Sequence, residues 1–537
     1  MNRKLFALGK PKSWLLPPET WIDRLWVLAL LLAAVILYTI DLGSLPLRDW
    51  DEGIVAQVAR EIWRAPNGSW HWLYPTLAGE AYINKPPLVH LLISWSYSLG
   101  GVSEWTSRLP GAILTAISIP LLYGIGREIF PVRLPAIFSA LIYLVLLPVV
   151  RHGRLAMLDG AVLCFFLLTI WCLLRSRRNL HYCLGVGIGF GLICLTKGIL
   201  GLLLGAIALL FLAWDTPRLL TCRYFWSGIS IGSAPVAFWY GAQFFHYGQT
   251  FLREGIINQS LQRVWAPIEN HAGPPWYYVL EILKYNWPWL LFVPQSWRFA
   301  WENRNLGWAK LVLIWGGVYL LVISVMTTKL PWYVLPIYPA LALSLGAYLA
   351  EVWHWPSTKS YPRAWVVILA LLGVIGWGGS IYFGKFATKP DLDLQILLAA
   401  VTITMTLASI LVARRDSQFI AILLWGTYVS LFLLMNTEHW IWELAEQYPV
   451  KPVAQLIRKS PIPPGEKVYT SYPYFRPSLN FYSDRQVIPA TFDQLKQNWE
   501  QGEPPYLLLE ADPLKNLNLD GVKTLGANAG WTLITRD

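Results

Sequence analysis

Apolar runs close to twenty residues long recur along most of this chain, and they limit its fold more than any single motif does. In hydrocarbon, every backbone N–H and C=O must find its partner within the protein, so such runs become membrane-crossing helices. Candidate spans lie at about 25–42, 109–127, 132–150, 155–174, 183–197, 198–214, 224–245, 278–296, 308–327, 332–352, 364–384, 392–412 and 418–436, thirteen in all. Of the 537 residues, 55% are hydrophobic and only 14% charged, with a mean hydropathy of +0.43, which excludes an ordinary soluble domain. The 31 tryptophans suit aromatic belts at the two interfaces. No small-residue cleavage site follows the first run, so no cleaved signal peptide is expected. The expected class is an all-α polytopic membrane protein.

A further stretch, "PLVHLLISWSYSLGG" at 87–101, is short and rich in aromatics and serines. Loop charge decides how to read it. Arg3, Lys4, Lys10, Lys12 and Arg24 precede the first span, which puts the N-terminus in the cytoplasm. If 87–101 only lies on the membrane, alternate loops carry Arg127/Arg133, Arg175/Arg177/Arg178, Arg218/Arg223, Arg298/Arg304/Lys310, Lys359/Arg363 and Arg414/Arg415, and all of them are cytoplasmic. Counting it as a span reverses that pattern. The expectation is an interfacial helix, thirteen spans and an outer C-terminus. The net charge of +11 then reflects cytoplasmic loops and anionic lipid, and no nucleic-acid partner is expected.

Residues 437–537 are polar and read as a small soluble α/β domain on the outer face, after a membrane domain over 1–436 whose first outer loop is 43–108. "KPVAQLIRKS" reads as a helix, and "KVYTSY", "SLNFYSD", "PYLLLEA" and "GWTLITR" read as strands. The five cysteines, Cys164, Cys172, Cys183, Cys194 and Cys222, lie in or beside apolar runs without a CxxC pair, which reads as packing thiols.

This threading gathers chemistry on the outer side. In "LRDWDEGIVAQVAREIW", 47–63, the apolar Ile54, Val55, Val58 and Ile62 recur at helical spacing. The stretch suits a surface helix whose positive N-terminal end keeps Asp51 and Glu52 ionised beside hydrocarbon. Asp159 lies one turn inside a span, Lys197 in "LTKGILG" sits between two short spans, and "RHGR" supplies Arg151 and Arg154 in a short outer loop. The loop at about 246–277 carries Arg253, Glu254, Arg263, Glu269 and His271, and Lys329 follows in "TTKLPWYV". Cations of this kind suit a phosphate whose lipid tail lies in the membrane. A carboxylate beside them suits general-base activation of an acceptor hydroxyl or amine. No nucleotide is available outside a bacterial cytoplasm, so a donor sugar there arrives on a lipid carrier.

The order of several stretches adds a resemblance. "DE" followed by "AREI" at 51–62, "KPPL" at 85–88, "SRLPGAI" at 107–113, "GRLAMLD" at 153–159, "LTKG" at 195–198, "PPWYY" at 274–278, "KLPWYVLPIYPALAL" at 329–343 and "RPSLNFYSDR" at 476–485 occur as in the GT-C class of polyprenyl-phosphate-sugar glycosyltransferases. The chain most resembles the bacterial branch with the lipid A aminoarabinose transferases, and more widely the protein O-mannosyltransferases. The resemblance implies a glycosyltransferase in the bacterial plasma membrane, working as a monomer without a cofactor. Its donor is a sugar on an undecaprenyl-phosphate-type carrier, and its acceptor is a lipid, glycan or protein. It implies that Asp51 is the base or acceptor-orienting carboxylate, with Glu52 in support. Lys85 then holds the donor phosphate, Asp159 lines the same cavity, and Lys197 and Lys329 with Tyr333 complete the donor site. Arg154 and His271 are further substrate-binding candidates.

Two departures from the family pattern matter. Ile54 and Val55 stand where the family often has Arg-Tyr, so one cationic phosphate contact is either missing or replaced. Asn84 stands where the family often has a Glu that joins a loop histidine at a metal, so no metal is predicted and His271 is a poor ligand candidate. The competing class is a transporter or flippase. That reading calls for paired broken helices in two related halves, and the sequence shows no such internal repeat.

Overall fold

The computed structural model describes residues 21–267, 271–442, 448–501 and 505–536; Arg3, Lys4, Lys10, Lys12 and Glu269 lie outside them. Among the described residues, six helical segments are long and apolar enough to cross a membrane: Trp21–Thr39, Glu104–Ile129, Gly307–Val325, Pro331–Trp353, Arg363–Phe386 and Leu392–Ala413. The chain is therefore a multi-pass membrane protein. A seventh span follows if Arg133–Leu144 and Leu147–Arg154, bent by 56° at their junction, count as one. Pro148 lies at that bend and has no N–H to continue the first helix. The shorter apolar helices Tyr182–Lys197, Leu200–Asp215 and Phe419–Met435 fall on three more of the expected spans.

Two local expectations change in the apolar region. The run 278–296 is not one helix but Tyr277–Tyr285, a 3-10 turn at Trp289–Phe292, and Val293–Glu302, because Pro288 interrupts the backbone ladder. "RHGR" is no loop: Arg151, His152, Gly153 and Arg154 are buried in the last turns of Leu147–Arg154. The stretch at 87–101 forms the helix Leu88–Gly100. At 1.5 Å per residue its 13 residues reach about 20 Å, short of the roughly 30 Å hydrocarbon core.

The chain divides into two compact units. The first comprises residues 1–41, 83–88 and 111–440 and holds most of the apolar helices. Pro331–Trp353 is 94% buried over its most apolar stretch and is its central span, whereas Arg363–Phe386 is only 17% buried and leaves its surface to lipid. The second unit comprises residues 42–82, 89–110 and 441–537. It does not follow a linear division at 436/437, because most of the loop expected at 43–108 packs with the C-terminal residues.

In the second unit, β1 (Thr76–Leu77) and β2 (Glu80–Ala81) form a small hairpin. A five-stranded sheet runs in the order β4 (Gln486–Pro489), β3 (Lys467–Thr470), β5 (Tyr506–Glu510), β7 (Trp531–Arg536), β6 (Val522–Asn528). The first three are parallel, and β7 runs antiparallel to both β5 and β6. Alternation along β5 serves both faces of the sheet. Leu508 packs with Val453, Ile457 and Leu479, and Leu507 and Leu509 pack with Leu495 and Trp499. "SLNFYSD" is the helix Pro477–Ser483 rather than a strand. Pro477 starts it, nearly all its side chains are buried, and Asp484 ends it at φ 62°.

Candidate functional site

In the first unit, two helix ends meet as an ion pair. Asp159 begins the helix Asp159–Arg175, and Lys197 ends Tyr182–Lys197. Each charge therefore sits at the end of its own helix dipole that favours it. Lys197 Nζ donates to Asp159 Oδ1 at 2.7 Å, with Asp159 5% exposed. Gly198 turns the chain after Lys197 at φ +53°, where a Cβ would lie 2.7 Å from the Tyr240 hydroxyl.

Lys197 and Gly198 line a narrow cleft together with Asn84, Lys85, Pro86, Trp239, Tyr240 and Phe251. Pro86 and Pro87 stiffen the segment that presents Lys85. Burial, followed by the nearby Arg263 and Lys197 charges, lowers the Lys85 ammonium from 10.5 to about 7, with Asp159 opposing. Phe251, Gly255 and Ser260 reach the cleft from the π-helical stretch Phe251–Leu261, a backbone form common beside functional sites. Just beyond it, Arg263 Nη1 donates to the Tyr333 hydroxyl at 3.0 Å, and Lys197 Nζ lies 5.7 Å from the centre of the Tyr333 ring. The cleft thus has a cationic floor and an aromatic wall. From the sequence Arg263 was only one of several charges in an expected outer loop, with no assigned role; it lies in the short helix Gln262–Trp265, which continues the π-helical stretch.

The other expected cations are engaged elsewhere. Lys329 Nζ donates to Ile323 O at 2.9 Å and Ser324 O at 2.7 Å, carbonyls in the last turn of Gly307–Val325. Burial lowers its pKa, and it does not line the cleft. Arg154 is wholly buried; it donates to Leu37 O at 2.9 Å and Met435 O at 3.3 Å and lies 4.5 Å over Trp440. Arg151 donates to Trp440 O at 3.0 Å. His271 is exposed, and its carbonyl accepts from Lys329 N at 2.8 Å. Asn84 in the cleft is neutral, and among the described residues no group of three His, Cys, Asp or Glu is arranged to hold a metal ion.

In the second unit the adjacent acids diverge. The helix Asp51–Arg64 begins at them. Glu52 is fully buried: its two oxygens accept from Arg108 Nε and Nη2, each at 2.8 Å, and Oε2 also accepts from Arg48 N at 2.9 Å. Arg108 spends its remaining N–H groups on Leu42 O, Leu45 O and Pro46 O, gathering the entry loop around the helix end. Asp51 points the other way, is partly exposed, and pairs with Arg48 Nη2 at 2.5 Å. Of the two acids, Asp51 is the reachable one and Glu52 builds the loop.

A family model described as dolichyl-phosphate-mannose-protein mannosyltransferase matches residues 84–240, from the segment before Lys85 to Tyr240 in the cleft wall. The chain is 27% identical over 374 residues to an undecaprenyl phosphate-alpha-4-amino-4-deoxy-L-arabinose arabinosyl transferase of Pseudomonas fluorescens, covering 67% of this chain and 66% of that one. It is 26% identical over 475 residues to an uncharacterised protein of Aquifex aeolicus, covering 86% and 88%. The crystal structure of ArnT from Cupriavidus metallidurans bound to undecaprenyl phosphate superimposes with a TM-score of 0.78 at 18% identity, over 95% of this chain and 98% of that one. The fold is the GT-C fold. The resemblance read from the ordered motifs thus holds over nearly the whole chain, and the GT-C frame carries both the Lys85 cleft and the Asp51 helix.

Proposed function

We propose that the chain transfers a sugar from an undecaprenyl-phosphate-type carrier to an acceptor at the outer face of the bacterial plasma membrane. The names of its relatives make a 4-amino-4-deoxypentose the first sugar to try, and they give no support to the transporter alternative. The single observation that carries the reading is the cleft. Lys85, Lys197 and Arg263 gather beside an aromatic wall of Trp239, Tyr240 and Phe251, which is the chemistry of an amphiphilic phosphate.

The reaction is a single displacement with inversion. An acceptor oxygen or nitrogen attacks the anomeric carbon as Asp51 takes its proton. The bond from that carbon to the phosphate oxygen breaks, and the carrier phosphate leaves with the electron pair and one more negative charge. Lys85, Lys197 and Arg263 stabilise that charge as it develops. One base suffices for inversion, whereas retention needs a second, nucleophilic group. Asp159 holds Lys197 in place, Tyr333 holds Arg263, and Glu52 is a positioning residue for the loop that bears Asp51. The chain works as a monomer with thirteen spans, its N-terminus in the cytoplasm and residues 437–537 outside.

The test is transfer by the full chain in nanodiscs, from undecaprenyl-phosphate-linked 4-amino-4-deoxy-L-arabinose to lipid A. Mass spectrometry of envelope lipids, glycans and proteins from a deletion strain runs beside it. Loss of one glycosylated species in the strain identifies sugar and acceptor together. An unchanged envelope and no release of undecaprenyl phosphate in vitro would sink the proposal.

A further inference from the structure

The backbone just before Asp51 is strained. Trp50 has φ 59° and ψ −52°, a conformation that residues with a Cβ rarely adopt. Asp51 N donates to Asp49 O at 2.8 Å across it, closing a three-residue turn. Such a turn persists only when its surroundings over-determine it, and here one short segment does so. Arg476 Nη1 donates to Asp49 Oδ2 at 2.7 Å, and Ser478 N donates to Asp49 Oδ1 at 3.1 Å. Trp50 Nε1 donates to Phe475 O at 2.9 Å. The Arg476 guanidinium is itself stacked, 4.0 Å from the Tyr448 ring centre and 4.3 Å from that of Tyr472. Gly53 allows the approach, since a Cβ there would lie 2.8 Å from Ser478 N. At the far end of the helix, Arg60 and Arg64 both pair with Asp484.

We infer that residues 475–478 form a clasp that holds the strained Asp49–Trp50–Asp51 turn and so aims the Asp51 carboxylate, making Arg476 and Asp49 positioning residues for transfer. This rests on the reading of Asp51 as the base. A carboxylate on a relaxed turn remains present but is misplaced, and a misplacement near 1 Å costs on the order of 100-fold in rate. The donor phosphate does not depend on the turn, so the loss falls on kcat.

The test uses the full chain in nanodiscs with the donor and acceptor named above. Arg476→Ala and Asp49→Asn are expected to lower kcat by on the order of 100-fold and leave the donor KM within about twofold. Arg476→Lys, which keeps the charge but not the stacking, recovers part of that loss. Each change is repeated in the Asp51→Asn background, where it should cost nothing further. Equal losses in both backgrounds, wild-type kcat in the two single variants, or failure of even Asp49→Asn and Arg476→Lys to fold would overturn the clasp. Asp51→Asn by itself judges the base assignment: normal turnover there sinks that reading, whatever the clasp variants do.

Discussion

Lys85 shows what a single cation gains from its neighbours. Burial and the neighbouring cations hold its ammonium near 7, well below the ordinary 10.5. A bound phosphate favours the charged form, so binding takes up a proton between about pH 7 and the ordinary 10.5. The sign follows. Undecaprenyl phosphate affinity should fall as pH rises above 7, whereas the stability of the ligand-free protein should rise over the same window as an unfavourable charge is relieved. Calorimetry in buffers of different ionisation enthalpy checks the first expectation, and a thermal midpoint series checks the second. Lys85→Ala should abolish the proton uptake, and Lys85→Arg should weaken binding, because a planar guanidinium cannot take the place of a compact ammonium. The adjacent acids should separate in kind. Asp51→Asn should lose about two to four orders of magnitude in kcat and remain folded. Glu52→Ala strands the buried Arg108 and should cost about 3–5 kcal/mol in unfolding free energy, read by denaturant titration. Nothing in "DE" marks which acid turns inward; the choice is made by Arg108, 56 residues away.

At the scale of elements, close packing carries information that hydropathy does not. Tyr182–Lys197 and Arg223–Tyr247 cross through facing glycines. A Cβ on Gly187 would lie 1.9 Å from Gly228 C, and one on Gly232 would lie 1.9 Å from Gly187 O. Those neighbours are backbone and cannot swing aside, so Gly187→Leu or Gly232→Leu should lower the thermal midpoint sharply, in keeping with overpacking costs of about 1–3 kcal/mol or more. Gly241→Ala, on the same second helix with nothing within 4 Å of its Cβ, should be neutral or slightly stabilising. Helix positions were legible in the sequence because lipid demands long apolar runs. The break at Pro288 was harder to read, since apolar residues continue through it. "SLNFYSD" misled because alternating apolar residues suit a strand, while burial on all sides and a proline at its start made a short helix.

The whole molecule poses the question of sidedness. A cytoplasm-only reporter fused after Asp537 should stay silent, and an exported one should be active; activity of the first would put the threading off by one span. Several of the cations that this threading rests on are paired with acids of the first unit. Arg127 and Arg133 share Asp23, and Arg177 and Lys310 share Asp215, so neutralising a single loop residue should not invert the chain. The class of protein and the Lys85 segment were legible early, because composition and short motifs record them. The second unit was not. Its members Asp49 and Arg476 are 427 positions apart, and no local pattern announces such a meeting.

That separation has a consequence for biogenesis. The entry loop and its acidic helix leave the ribosome early, yet the residues that complete their unit start at 441, about 330 positions after residue 110. At roughly 5–20 residues per second, the loop waits about 15–65 s for its partner. Until those residues emerge the nascent chain carries an unfinished second unit, and on the proposed mechanism it should lack transfer activity. A chain cut short within the sheet would thread the bilayer normally and still be catalytically silent.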